Sequence, residues 1–133
     1  MNSFLLILAG AMIALALYQL YLARPGIPLD EAKAALQSGT AVLVDIREPA
    51  EWTGGVARQS ALLPMSDLRG GRAQWRPFLE RNKGKRLLLY CASGTRSGLA
   101  ARTLRAEGIN AVNAGSLRDW DRAGWPICPP KQR

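Results

Sequence analysis

The chain contains no histidine, and only two of its 133 residues are cysteines. Without histidine it lacks the commonest general base at neutral pH and the commonest neutral metal ligand. The two cysteines, Cys91 and Cys128, are too few for the disulfide framework of a small secreted domain, and free thiols fit a reducing compartment. We expect neither a bound metal nor a cofactor.

Charge is missing from the start of the chain, since no charged side chain precedes Arg24. The formal net charge of +8 therefore belongs to the rest of the chain. Its basic residues are scattered, which favours a solvated surface over nucleic-acid binding, and beside a membrane it would attract anionic lipid headgroups. The tryptophans are not interleaved with basic residues on one element, so we expect packing and not base stacking from Trp52, Trp75, Trp120 and Trp125.

The uncharged N-terminal segment is long enough to cross a bilayer. Residues 4–23 are apolar apart from Gln19, and a helix of about 20 residues spans about 30 Å of hydrocarbon. Tyr18 and Tyr21 suit the headgroup layer at its end. A cleaved secretory signal would need a basic start and a shorter apolar core, so we predict an uncleaved transmembrane helix.

The predicted anchor divides the chain into a membrane part, residues 1–24, and one ordinary domain, residues 25–133. Arg24 and Lys33 follow the helix and no comparable charge precedes it, so the positive-inside rule places the domain in the cytoplasm. We expect a single-pass protein of the inner (plasma) membrane, held through residues 4–23. Such an anchor is compatible with a membrane-protein partner.

Short apolar runs alternate with helical patterns along the domain. Three runs predict buried strands, and a weaker one ends at a proline: residues 41–45, 86–90, 111–113 and 61–64. Helical spacing and end signals predict helices at residues 29–37, 49–52, 75–81, 98–107 and 117–122. Strands that alternate with helices predict an α/β fold, an open parallel sheet covered on both faces.

The segment Cys91-Ala-Ser-Gly-Thr-Arg-Ser97 connects a predicted strand to a predicted helix. Ligands of open parallel sheets bind beyond the carboxyl ends of strands, and Cys91 is the first residue after one. A helix that starts near Ser97 directs N–H groups at the loop, and Arg96 adds a permanent cation, so both favour a thiolate. An isolated cysteine would be a small buried hydrophobe. Its combination with Gly94, Arg96 and a helix start indicates a nucleophile in an anion site.

Two motifs carry a resemblance to a known family. Cys91-x-x-Gly94-x-Arg96-Ser97 resembles the active-site loop of single-domain rhodanese-like sulfurtransferases. Val44-Asp-Ile-Arg-Glu-Pro-x-Glu-Trp52 is similar to the upstream signature of the same family, and residues 113–126 to its last strand, turn and helix. The resemblance covers about residues 27–127 and implies a rhodanese-like open parallel sheet flanked by helices, here preceded by one transmembrane helix.

The resemblance also implies a function. Cys91 would take a sulfane sulfur from a small anionic donor such as thiosulfate, hold it as a persulfide, and pass it to a thiol, cyanide or protein acceptor. A persulfide anion needs N–H donors and no proton shuttle in the family's simplest scheme, so the missing histidine is compatible with it. The anion cradle would consist of Ser93, Gly94, Thr95, Arg96 and Ser97.

One departure concerns the turn after the upstream signature. Where the family commonly has glycine, histidine, a hydrophobic residue, proline and glycine, this chain has Gly55-Val-Ala-Arg-Gln59. These positions usually serve scaffold packing in the family, so we expect an altered local turn.

Four further residues have two interpretations each. Asp45, Arg47 and Glu48 would either fix the loop against the sheet through ion pairs and hydrogen bonds or contact the substrate, and we favour the first. Cys128 could resolve a persulfide on Cys91, but the prolines beside it favour an incidental surface thiol in a tail.

Two other functions compete with sulfur transfer. A dual-specificity phosphatase or arsenate reductase also holds an anion over a cysteine, but such loops resemble Cys-x5-Arg, whereas four residues separate Cys91 from Arg96 here. A smaller ring of amides suits a single sulfur atom better than a tetrahedral oxyanion. The non-enzymatic alternative is a membrane-tethered binding module, for which loss of the cysteine would be the usual sign.

Overall fold

The computed structural model of the protein describes residues 2–132, and helices and strands alternate through most of them. The helices are α1 Ser3–Ala23, α2 Leu29–Gln37, α3 Pro49–Trp52, α4 Met65–Arg69, α5 Trp75–Arg81, α6 Thr95–Ala106 and α7 Leu117–Arg122. The strands are β1 Ala41–Asp45, β2 Val56–Ala57, β3 Ala61–Leu62, β4 Arg86–Cys91, β5 Ala111–Ser116 and β6 Ile127–Cys128, and Pro130–Gln132 form a short 3₁₀ helix.

Four strands form a parallel sheet in the order β3-β1-β4-β5, which confirms the predicted α/β class. In this sheet Asp45 at the end of β1 pairs with Tyr90 of β4. Because the strands run in one direction, their carboxyl ends meet at one edge. Asp45 and Cys91 therefore lie at the same edge of the sheet.

Apolar side chains cover both faces of the sheet, as the uninterrupted strand sequences predict. On one face Leu89 packs with Trp75 of α5 and Leu104 of α6. On the other, Leu88 packs with Trp120 of α7. Three tryptophans are buried, Trp75, Trp120 and Trp125, which confirms their packing role.

Three predicted boundaries at this edge change in the structure. Cys91 is the last residue of β4 and not the first one beyond it. The following helix starts at Thr95 and not near Ser97, because Gly94 has a φ of 90° and turns the chain directly into the helix. The strand predicted at residues 111–113 is β5, and it continues to Ser116, which pairs with Cys91 across a register shift.

The expectation that Cys128 is a surface thiol in a tail is wrong. Cys128 lies in β6, pairs with Val56 of β2 in an antiparallel ladder, and is only 7% exposed. These two-residue strands are too short to produce a periodic pattern, so no sequence signal indicates that the C-terminal segment has a pairing partner. The five-residue α4 was missed for the same reason.

Helix α1 covers the predicted residues 4–23 and begins one residue earlier, at Ser3. It is long and apolar enough to cross a membrane, and Leu22 is its only buried residue. The helix prediction is confirmed, whereas insertion and orientation stay predictions.

Candidate active site

Strand β4 delivers Cys91 to the carboxyl edge of the sheet, and α6 begins at Thr95. The connection requires glycine at position 94 on two grounds. Its φ of 90° is strained for other residues, and a Cβ there would lie 2.7 Å from the carbonyl oxygen of Ala23. The residues between β4 and α6 therefore form a tight turn, and the C-terminal end of α1 packs against that turn.

The sulfur of Cys91 faces hydrogen-bond donors of this turn. Its Sγ accepts a hydrogen bond from the Gly94 N–H at 3.0 Å and lies 3.4 Å from the Ser97 Oγ. The Ser97 hydroxyl makes its shortest bond, 2.7 Å, to Asn113 Oδ1, so it can turn fully toward the sulfur only by giving up that bond. The amide and the start of α6 are the groups that stabilise negative charge on sulfur here.

The outer part of the predicted cradle is more open. The hydroxyls of Ser93 and Thr95 lie 3.4 Å apart, and Ser93 is exposed while Thr95 is half-buried. The structure therefore brings all five predicted cradle residues into one turn, with Gly94 and Ser97 on the inner side. Their predicted contact with a bound anion stays a prediction.

Cys91 itself is fully buried, with 0% of its surface exposed, and it belongs to the core cluster on the α5 and α6 face. A small molecule can reach Sγ only when the loop or its covering side chains move. The site as described is closed.

Arg96 has a partner that the motif does not reveal. Its guanidinium donates to both carboxylate oxygens of Glu51, at 2.7 and 2.8 Å. The hydrogen bonds from Arg96 lower the pKa of Glu51 from 4.5 to about 2. Hydrogen bonding to Glu51 raises the pKa of Arg96 above its ordinary value, and attraction to Cys91 adds to that shift. Arg96 thus acts on the sulfur at longer range while it is hydrogen-bonded to Glu51.

The upstream signature residues make structural contacts. Arg47 Nε and Nη2 donate to the Asp45 carboxylate at 3.1 and 2.9 Å, and Nη2 also donates to the Gly55 carbonyl at 2.7 Å. Glu48 accepts hydrogen bonds from the N–H and hydroxyl of Ser66 at 2.9 and 2.7 Å. These contacts tie the segment after β1 to its neighbours, which agrees with the favoured structural interpretation.

Tyr90 completes the support below the site. Its hydroxyl donates to Asp45 Oδ2 at 2.6 Å and accepts the N–H of Ala57 at 2.9 Å. Burial raises the pKa of Tyr90, and the neighbouring Asp45 raises it further. Residues 55–59, which depart from the family motif, are therefore held in place through the hydrogen bond between Ala57 of β2 and Tyr90. Gln59, in the turn after β2, has a φ of 70°.

Sequence reasoning missed Glu51, Tyr90 and Asn113 as site residues. For Glu51 a signal existed, because Glu48-Pro-x-Glu51 has the spacing of a capping box, and the structure forms one. For Tyr90 and Asn113 the signal is weaker, a polar side chain inside a buried strand.

Asn113 joins the end of α1 to the candidate active-site loop. Its Nδ2 donates to the carbonyl oxygens of Leu22, Arg24 and Gly94 at 2.9, 3.1 and 3.0 Å. A Cβ on Gly98 of α6 would overlap the Leu22 carbonyl oxygen, so the helices touch there backbone to backbone. The apolar helix is therefore physically continuous with the loop that carries the thiol.

Within residues 2–132, no group of three or more histidine, cysteine or acidic side chains is placed to hold a metal ion.

Comparisons with known proteins agree with this geometry. A family model described as a rhodanese-like domain matches residues 28–123. The chain is 35% identical over 97 residues to an uncharacterized protein of Synechocystis sp., which covers 71% of this chain and 51% of that protein. It is 34% identical over 92 residues to a protein of Allochromatium vinosum named Sulfurtransferase, covering 68% of this chain and 80% of the relative.

A solved structure is similar over most of its own length. The human single-domain sulfurtransferase has a TM-score of 0.63 and 28% identity, with 74% of this chain and 96% of that chain covered. The chain spans only 51% and 60% of the length of two other curated relatives, from Synechocystis sp. and Bacillus subtilis.

Proposed function

The chain belongs to the rhodanese-like family, and from this premise we propose that it is a sulfurtransferase that carries a sulfane sulfur as a persulfide on Cys91. The observation that carries the proposal is the hydrogen bond from the Gly94 N–H to Sγ, 3.0 Å long, at the start of α6. Donors in this position stabilise a thiolate and a persulfide anion alike. The sequence relative named Sulfurtransferase supports the same class.

The chemistry balances without a redox partner. The Cys91 thiolate attacks the outer sulfur of a donor such as thiosulfate, the donor's S–S bond breaks, and sulfite leaves with the electron pair. The terminal sulfur of the persulfide is then attacked by cyanide, a thiolate or a protein thiolate. The persulfide S–S bond breaks and returns the Cys91 thiolate, so no general base is required.

The second part of the proposal concerns location. Helix α1 would anchor the chain in the inner (plasma) membrane as a single span, with the domain in the cytoplasm, since Arg24 and Lys33 follow the helix and no charge precedes it. The packing of Leu22 and Ala23 on Gly94 and Gly98 would then hold the reacting sulfur close to the membrane surface. A membrane-protein donor or acceptor fits this position.

A second candidate function is a membrane-tethered binding module, which the complete burial of Cys91 favours. The two functions differ in covalent chemistry. A binding module would leave Cys91 unmodified by sulfur donors, whereas a sulfurtransferase must open to them.

The experiment incubates the full chain in detergent with thiosulfate and cyanide, and separately with an aryl phosphate. We expect thiocyanate and sulfite from the first mixture, loss of both in Cys91→Ser, and retention in Cys128→Ser, because Cys128 lies in the separate two-stranded sheet of β2 and β6. Phosphate release without thiocyanate would overturn the proposal in favour of a phosphatase. No product from either substrate would favour the binding module.

A further inference from the structure

A pocket of about 340 Å³ opens between the end of α1 and the outer face of α6. Tyr21 and Leu22 line it from α1, and Gly98, Arg102 and Arg105 line it from α6. Arg102 and Arg105 lie four and seven positions after Gly98, so the three residues lie on one face of α6. The pocket is separate from the Cys91 sulfur, which lies on the buried side of the loop.

The charged side chains that line the pocket are all basic. Arg24, Arg102 and Arg105 line it, and none of its nine lining residues is acidic. Arg105 donates to the Ala111 carbonyl at 3.0 Å, which fixes one edge of its guanidinium. Within residues 2–132 the side chains of Arg24 and Arg102 have no hydrogen-bond or ion-pair partner.

Two arginines on or beside α6 are instead paired with carboxylates. Arg96, also on α6, is paired with Glu51, and Arg72 is paired with Glu107 at the end of α6. Three cations around one cavity with no carboxylate repel one another. An anion with several oxygens would remove the repulsion and accept forked hydrogen bonds from the guanidinium groups.

The pocket also has a defined depth relative to α1. Tyr21 lies in the last turn of the helix, and aromatic residues at helix ends lie at the headgroup level. Arg24 follows directly as the residue that caps the helix. If α1 crosses a membrane, the pocket opens at the level of the lipid phosphates.

We propose that this pocket binds a phosphate group, and that its ligand is the head group of an anionic phospholipid held by Arg24, Arg102 and Arg105. The inference rests on the proposed membrane insertion of α1. A free phosphate ion offers the same chemistry, but a lipid phosphate is kept beside the pocket by the bilayer, which raises its effective concentration. Binding would fix the orientation of the domain on the membrane surface.

The test uses the full chain purified in a neutral detergent and native mass spectrometry to count retained lipids. We add phosphatidylglycerol, phosphatidylcholine or both, and we expect one retained phosphatidylglycerol in preference to phosphatidylcholine. Arg102→Gln should weaken retention roughly fivefold, and Arg24→Gln/Arg102→Gln further by a similar factor. The matched control is Arg76→Gln/Arg81→Gln on α5, which removes the same charge from exposed positions outside the pocket.

Three outcomes overturn the proposal. Equal retention of the two lipids by wild type shows that the pocket has no anionic lipid specificity. An equal loss in the α5 control shows that only overall charge matters. Displacement of phosphatidylglycerol by millimolar inorganic phosphate or glycerol phosphate identifies the free anion as the ligand.

Two further measurements test membrane insertion and sulfur transfer separately from lipid binding. Carbonate extraction of native membranes reports whether α1 is embedded, so release of the chain would remove the basis of the lipid proposal. Thiocyanate formation by Arg102→Gln reports the sulfur chemistry independently, and it should equal that of wild type.

Discussion

Arg96 donates two hydrogen bonds to the Glu51 carboxylate. It also has a favourable electrostatic interaction with Cys91. Glu51 in turn is the N3 residue of the capping box of α3, with its Oε1 accepting the Glu48 N–H at 3.0 Å. A residue 45 positions before Arg96 therefore sets where that guanidinium stands. Glu51 is a positioning residue, since it acts on the thiol through Arg96.

The first prediction concerns the stability of the Glu51–Arg96 pair. Glu51→Gln should lower the free energy of unfolding by about 1 kcal/mol at pH 7, because the pair is bidentate but about one-third exposed. The folded-state pKa of Glu51 is lowered from 4.5 to about 2. The pair's contribution is therefore complete above about pH 4.5 and is lost as the pH falls toward 2.

Urea unfolding followed by tryptophan fluorescence measures this effect, since none of the four tryptophans lies in α1. The difference between wild type and Glu51→Gln should shrink from pH 6 to pH 3. The control Glu80→Gln removes a carboxylate from an exposed pair with Lys83 and should change stability by less than about 0.5 kcal/mol. A Glu51→Gln effect independent of pH would contradict the assignment.

At the scale of elements, the edge that carries the site is held by polar side chains between strands. Tyr90 of β4 reaches Asp45 of β1 and the backbone of Ala57 in β2. Asn113 of β5 reaches the end of α1 and the turn before α6. Both are buried, so each bond that is lost leaves a partner without water to replace it.

The second prediction is that Tyr90→Phe destabilises the domain by about 2–3 kcal/mol, because the Ala57 N–H loses its acceptor and Asp45 loses a donor. The pKa of Tyr90 is raised in the folded protein, first by burial. The stabilisation that the protonated Tyr90 hydroxyl contributes to the folded state is complete below the ordinary tyrosine pKa of 10.0, and it is lost as the pH rises above that value. Unfolding curves at pH 8 and pH 11 check this, and a stability difference between wild type and Tyr90→Phe that does not narrow at pH 11 would contradict it.

The third prediction tests the junction between α1 and the loop. Asn113→Ala should cost about 3 kcal/mol and accelerate amide hydrogen exchange at residues 94–98 and 22–26, because three carbonyl oxygens lose a shared donor. Asn110→Ala is the matched control, since the exposed Asn110 precedes the same strand and bonds only through its carbonyl. Equal exchange in both variants would show that the junction is not held by Asn113.

For the whole molecule, the parallel sheet could be predicted because its central strands, β1 and β4, contain apolar runs of four and five residues. The loop around Cys91 could be predicted because its functional residues are adjacent in sequence. The pair of Glu51 with Arg96 and the link from Asn113 to Leu22 could not, since each joins residues 45 or 91 positions apart. The burial of Cys91 and of Cys128 likewise depends on elements that pack over them, which no local pattern reports.

The packing of α1 on α6 makes the apolar helix part of the site's architecture. Backbone contacts at Gly94 and Gly98 leave no room for side chains between the helix end and the loop. Any movement of the loop would therefore also shift the end of α1. The same junction carries the basic pocket on its outer side.

Sulfur transfer through Cys91 requires a persulfide on that residue, which intact-mass measurement of the full chain after exposure to thiosulfate detects. We expect a gain of one sulfur atom on wild type and on Cys128→Ser, its absence on Cys91→Ser, and its removal by cyanide. An unchanged wild-type mass with thiosulfate and with a low-molecular-weight persulfide, or a gain that persists in Cys91→Ser, would rule out the persulfide on Cys91.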